Sequence, residues 1–163
     1  MIKIAPSILA ANILDIKNEV IDVDIAGADY IHIDVMDGHY VPNITFGANM
    51  VRSLRPITKK ILDVHLMIKP VISLLKDFID AGSDIISFHP EADKNTLEII
   101  KIIKKSNCKA GIAIHPRVEL NKIKKFLKDI DQVIVMTVYP GLGGQKFLID
   151  QLIKVNQLKK FRE

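Results

Sequence analysis

The sequence predicts an α/β fold of the (β/α)8 barrel type, and three observations predict it. Short apolar runs alternate with helically patterned segments six times along the 163 residues. That is the order of βαβ units around a parallel sheet. Polar residues gather where the apolar runs end, at His32, Asp34, His65, His89 and His115, and barrel chemistry sits at strand C-terminal ends. Third, Ala26-Gly27-Ala28-Asp29-Tyr30-Ile31-His32-Ile33-Asp34 is echoed by Ala81-Gly82-Ser83-Asp84-Ile85-Ile86-Ser87-Phe88-His89. The echo reads either as a repeated unit, which would put His89 level with Asp34, or as an ordinary helix-Gly-Asp-strand junction. A doubly wound open sheet is the alternative fold.

The elements follow in order. Residues 3–9 form a short apolar run that Pro6 makes irregular or an edge. Residues 12–25 carry apolar side chains at helical spacing, and Gly27 closes that helix. Residues 30–36 read as a buried strand, and 37–43 as a polar loop rich in turn formers. A short helix is expected over 47–54 and a strand over 61–67. Pro70 marks the first turn of a helix that ends at Gly82. Strands at 85–88 and 109–114 flank an amphipathic helix at 95–105. Residues 119–127 read as helix, 132–138 as strand, 139–144 as a glycine-rich turn, and 145–161 as the last helix.

Composition excludes several classes. The chain is 48% hydrophobic with a net charge of +4, which suits one globular domain with strands buried on both faces. The lysines fall in helical segments without interleaved aromatics, so they read as solvated faces; no nucleic-acid partner is expected. There is no apolar run of membrane length and no signal peptide, so no membrane partner is expected. The single cysteine, Cys108, excludes an internal disulfide and fits a cytoplasmic protein. It reads as a small core residue, and Met36, Met67 and Met136 as core filler or a soft floor under a ligand.

One constellation carries chemistry. His32 and Asp34 share a strand face, and His65 lies one βα unit later. Each residue alone reads as a core histidine or a loop cap, whereas three on consecutive strands point to a metal site. Nitrogen and oxygen donors suit one divalent Zn, Fe, Mn or Co ion rather than Ca. Three protein ligands leave room for a substrate oxygen. Asp34, held ionised, would act as base toward a carbon next to a carbonyl. Gly141-Leu142-Gly143-Gly144 follows a strand and precedes the last predicted helix. Its amides, with that helix N-terminus, would hold an anion, though tight turns also need glycine for geometry alone. It lacks the spacing of a dinucleotide fingerprint.

These stretches, with Ile4-Ala5-Pro6-Ser7-Ile8-Leu9, His32 to Asn43, Asp63 to Met67, Phe88-His89-Pro90-Glu91-Ala92 and Pro140 to Gln145, resemble the ribulose-phosphate 3-epimerase family along the whole chain. The resemblance implies a ribulose-phosphate-binding barrel and metal-dependent epimerisation at C3 between D-ribulose 5-phosphate and D-xylulose 5-phosphate, in the pentose phosphate pathway, through an enediolate. It implies metal ligation by His32, Asp34 and His65, with Asp34 as one of two acid/base carboxylates. It implies substrate contacts from Ser7 and His65, a sugar-phosphate partner, and the loop Gly141, Leu142, Gly143 and Gly144 near the phosphate. Tyr139, Leu142, Asn12 and His115 depart from the family's usual residues. The resemblance also implies two further βα units, bearing a second catalytic Asp and a Gly-Ser phosphate loop. Residues 1–163 are therefore expected to form a single incomplete barrel domain with six of eight units, a bare sheet edge, a tendency to homo-oligomerise and little turnover alone. Another keto-sugar phosphate epimerase, or a catalytically inactive remnant or assembly partner, is the alternative.

Overall fold

The computed structural model describes residues 2–161. Five parallel strands form one sheet in the order β1-β2-β3-β4-β5. They are β1 (Tyr30–Met36), β2 (Ile61–Met67), β3 (Ile85–Phe88), β4 (Lys109–Ile114) and β5 (Gln132–Val135). Every strand lies beside its successor, so the strand order never reverses. A doubly wound sheet requires such a reversal, and its absence leaves a singly wound, barrel-type arc. The helices are α1 (Ile16–Ile25), α2 (Ala48–Leu54), α3 (Leu75–Asp80), α4 (Thr96–Lys105) and α5 (Leu152–Lys159). Among the described residues, no helix is long and apolar enough to cross a membrane.

Side-chain alternation separates the two faces of the sheet. Ile31, Ile33, Leu62, Val64, Leu66, Ile86, Phe88 and Ile112 are all fully buried and share one core with Val20, Leu54, Phe78, Ile99 and Ile103 from the helices. The other face carries the polar set. Strand register lays Asp34, His65, Ser87, Gly111 and Gln132 side by side in one row. One pleat back, His32 is the register partner of Asp63. The pleat therefore turns apolar residues toward the helices and puts ionisable ones on the concave side.

The first predicted strand takes a different form. Its carbonyls pair with β1: Ile4 O accepts from Tyr30 N at 3.2 Å and Pro6 O from His32 N at 2.9 Å. Pro6 has no amide to donate, and only an isolated bridge, Ser7 to His32, is formed. A 3-10 turn, Ile8–Ala10, follows at once, capped by the Ser7 side chain.

Four predicted helices are shorter than their sequence pattern; the first, expected from residue 12, opens as a 3-10 turn over Ile13–Asp15 and α1 begins at Ile16. The helix expected from Pro70 begins at Leu75, because the Ile72 amide donates to the Asp93 carboxylate at 3.0 Å rather than entering a helical ladder. Residues 119–127 form two 3-10 turns, Leu120–Lys122 and Lys124–Phe126. Their buried residues Leu120, Ile123 and Phe126 recur every third position, the period of a 3-10 helix. The last helix begins at Leu152, after a 3-10 turn. Upstream of it, Leu148 N donates to Thr137 O at 2.7 Å, drawing that segment back along the loop after β5. That strand itself ends at Val135 rather than residue 138.

Candidate active site

The concave polar row ends in a cleft of about 520 Å³. It is lined by Ser7, His32, Asp34, His65, three methionines and the glycine loop. The expected ligands and substrate contacts therefore lie together, while His89 and His115 are not part of this lining. Met36 and Met67 are buried in a small cluster with Val41 and also line the cleft, together with Met136.

Asp34 is the hub. Its Oδ1 lies 3.3 Å from His32 Nε2 and 3.1 Å from His65 Nδ1. Its Oδ2 accepts from Ser7 Oγ at 2.6 Å. Burial alone would raise the Asp34 pKa, but the two imidazoles and their hydrogen bonds hold it far below the ordinary carboxylate range. Thr45 Oγ1 donates to Asp34 O at 2.7 Å and accepts from Met36 N at 3.0 Å, which fixes the strand end under the carboxylate.

The histidines differ in their surroundings. Burial would lower the His32 pKa, yet Asp34 and Asp63 overcome it and raise it to about 10. His32 Nδ1 lies 2.8 Å from Asp63 Oδ2. Gln132 Nε2 in turn donates to Asp63 Oδ1 at 3.1 Å. His65 is wholly buried, and burial dominates, lowering its pKa to about 4 and leaving it neutral. His32 therefore has one nitrogen oriented by a carboxylate and the other turned to Asp34. That is the arrangement that steers a metal-ligating imidazole.

The donor atoms of His32, Asp34 and His65 all lie within 4.8 Å of one another. A carboxylate oxygen between two ring nitrogens is a compact nitrogen-and-oxygen donor set that fits a divalent ion. Its depth in a buried, hydrogen-bonded setting distinguishes it from an exposed acidic cluster.

The glycine loop is built differently from its sequence reading. Residues 145–151 separate Gly144 from α5, so the N-terminus of α5 does not adjoin the loop. Side-chain amides hold it instead. Asn43 Nδ2 donates to Gly141 O at 2.8 Å. Gln145 Nε2 donates to Tyr139 O at 2.6 Å and to Leu142 O at 2.7 Å. Gly141 has φ +119°, and a Cβ there would lie 3.3 Å from Val41 Cβ, so this position requires glycine.

Sequence reasoning missed Asp63, Thr45, Tyr40 and Glu91. Asp63 carried a signal, since Asp63-Val64-His65 mirrors His32-Ile33-Asp34 on the neighbouring strand. His89 points into the same side, as the echo suggested, but at another level. Ser87 is the residue in the row with Asp34, and His89 lies one pleat further on, touching His65 at 3.0 Å.

Comparison with known proteins follows the same lines. The sequence model of the Ribulose-phosphate 3 epimerase family matches residues 3–163. Ribulose-phosphate 3-epimerase of Bacillus subtilis strain 168 is 46% identical over 163 residues, covering 100% of this chain and 75% of the relative. The protein of the same name from Escherichia coli strain K12 is 42% identical over 159 residues, covering 96% of this chain and 70% of its own. Among solved structures, 3-keto-L-gulonate-6-phosphate decarboxylase from Vibrio cholerae superposes with a TM-score of 0.69 at 21% identity, over 96% of this chain and 72% of that one. At that identity the likeness is one of fold.

Proposed function

We propose that this chain, which belongs to the ribulose-phosphate 3-epimerase family, carries the metal-dependent half-site that removes the C3 proton in interconverting D-ribulose 5-phosphate and D-xylulose 5-phosphate. The observation that carries the reading is Asp34, ionised and set between His32 and His65 at the wall of the cleft. A divalent ion, Zn, Fe, Mn or Co, held by His32, Asp34 and His65 would supply Lewis-acid polarisation of the substrate carbonyl.

The protein's own groups do the rest. Asp34 Oδ1 is occupied by the two imidazoles, while Oδ2 receives one hydrogen bond, from Ser7. The free lone pair on Oδ2 is the base that takes the C3 proton, and loss of that proton yields an enediolate. Ser7 steers Oδ2 and lies where a substrate hydroxyl would meet it. Met36, Met67 and Met136 keep that side of the cleft dry. The loop Gly141 to Gly144 holds the phosphate with its backbone, shaped by the Asn43 and Gln145 amides.

Epimerisation returns a proton to the opposite face of C3. Among the described residues lining the cleft, Asp34 is the one carboxylate. Metal-loaded protein incubated with ribulose 5-phosphate in heavy water is therefore expected to exchange the C3 hydrogen faster than it forms xylulose 5-phosphate. Exchange is expected to vanish in Asp34→Asn. Absence of both exchange and product from the unaltered protein would overturn the reading, and product formed at the exchange rate would overturn the single-carboxylate account.

The reading includes one incomplete barrel domain, a cytoplasmic setting and self-association. The large core that β1 to β4 share with the helices supports the first and the buried free Cys108 the second. Exposed Ile4, Ile149 and Ile153 support the third, and size-exclusion chromatography tests it; a monomer at all concentrations would remove it.

A further inference from the structure

His65 has a second imidazole at its back. His65 Nε2 lies 3.0 Å from His89 Nε2, and both side chains are buried. The Tyr40 ring stacks on His89 with centroids 4.6 Å apart at 26°. The Tyr40 hydroxyl donates to Glu91 Oε1 at 2.9 Å. That same oxygen lies 3.7 Å from His89 Nδ1, which is buried without a hydrogen-bond partner. Asp34, His65, His89 and Glu91 thus form one line from the cleft wall toward the protein's edge.

Two ring nitrogens at hydrogen-bond distance share one proton, so one donates and the other accepts. Without metal, neutral His65 donates from Nδ1 to Asp34 and must accept at Nε2. His89 then donates from Nε2 and presents a bare Nδ1 lone pair. When His65 Nδ1 serves as a ligand, it carries no proton. The shared proton then belongs to His65 Nε2 and is donated to His89 Nε2, and His89 is protonated at Nδ1, facing Glu91. The Nδ1 proton of His65 leaves to solvent and one arrives at His89 Nδ1. Both rings stay neutral and the proton count is unchanged.

We propose that His89, clamped by Tyr40 and Glu91, is a positioning residue that orients His65 and selects the tautomer with Nδ1 free for the ion. Outer partners of ligating histidines act in this way, and their loss costs roughly 10–100-fold in metal affinity. The inference rests on His65 being a metal ligand. Among the described residues, no other cluster places a buried, unpartnered nitrogen directly behind a candidate ligand.

The test combines nitrogen-15 NMR of histidine tautomers, metal-free and zinc-loaded, with zinc affinity from competition against a chromophoric chelator. In the unaltered protein, zinc is expected to move the His65 proton from Nδ1 to Nε2 and the His89 proton from Nε2 to Nδ1. His89→Phe keeps a ring under Tyr40 but leaves His65 Nε2 without an acceptor, and is expected to weaken zinc binding roughly 10–100-fold. Glu91→Gln and Tyr40→Phe alter only the outer clamp. They keep the test open should His89→Phe fail to fold, and each is expected to shift the His89 tautomer balance and weaken zinc several-fold. Zinc affinities within twofold of the unaltered protein, with His65 tautomers unchanged, would overturn the proposal. No zinc binding by the unaltered protein would remove the metal reading itself. The metal-free spectrum would then still decide the coupling: a proton on His65 Nε2 there would overturn it.

Discussion

Asp34 Oδ1 lies 3.1 Å from His65 Nδ1, and the two residues are direct register partners across β1 and β2. The same oxygen faces His32 Nε2 at 3.3 Å. One carboxylate oxygen thus gathers two imidazoles from adjacent strands, because residues of equal parity in parallel register share a face. In the metal-free protein, protons hold this trio together. They stand in the places where a cation would draw on the same lone pairs.

Metal binding is therefore expected to release protons. His32 is held protonated up to a pH of about 10 and must lose its Nε2 proton to act as a ligand. His65 is neutral and only changes tautomer. Close to one proton per ion, about 1 at pH 7, is expected to appear in calorimetric titrations run in buffers of different ionisation enthalpy. Between pH 6 and pH 9, affinity is expected to rise by about tenfold per pH unit. Titrations with no buffer dependence would show that His32 does not ligate.

Metal-free stability is expected to peak near neutrality. The folded His65 pKa, about 4, lies below its ordinary 6.5. Its contribution is present above pH 6.5 and lost as pH falls toward 4, with a ceiling of about 3 kcal/mol. The folded His32 pKa, about 10, lies above its ordinary 6.5. Its contribution is present below pH 6.5 and lost as pH climbs toward 10. Urea midpoints measured from pH 4 to pH 10 should trace a dome, and saturating zinc should flatten its alkaline side. A midpoint rising steadily to pH 10 without metal would contradict the assigned ion pairs.

The strands were legible because every second position turned to the helices is apolar and turn formers bound each run, and β1 to β4 match the expected spans to the residue. His32, Asp34 and His65 were legible through strand parity. Register was not: the echo placed His89 level with Asp34, whereas pairing puts Ser87 there, since sequence repeats do not encode the shift between strands. The glycine loop was misjudged for a related reason. Gln145 looked like a helix start, but its side chain binds Tyr139 O and Leu142 O, a side-chain closure of the turn that backbone propensity does not contain.

Gly111 is expected to tolerate no side chain. A Cβ there would lie 2.0 Å from Ser87 Oγ and 3.3 Å from Ser87 Cα, in the row that holds Asp34 and His65. Gly111→Ala is expected to destabilise by about 1–3 kcal/mol through overpacking. The cost should reach the site as well, because Gln132 bridges Ser87 Oγ at 3.5 Å and Asp63 at 3.1 Å, and Asp63 orients His32. Urea unfolding checks the stability. Ser87→Gly removes the clashing hydroxyl, so the double variant should lose less than the sum of the single losses. Full additivity would place the strain elsewhere.

Gln145 is expected to matter for phosphate without touching the proton chemistry. Its side-chain amide joins Tyr139 O to Leu142 O, while Asn43 fixes Gly141 O. These bonds pin the carbonyls of the turn, and pinned carbonyls fix where the intervening amides point. Gln145→Ala frees one end of the loop in an exposed position, so folding stability should change by less than about 0.5 kcal/mol. The loop must then be ordered on binding, a cost of about 1 kcal/mol. The Kd for ribulose 5-phosphate is thus expected to rise roughly fivefold, with an equal rise for inorganic phosphate. Zinc affinity should stay unchanged, because no ligand touches Gln145. Isothermal titration with each ligand separates the cases. Weakened sugar-phosphate binding with unaltered phosphate binding would place the phosphate away from Gly141 to Gly144.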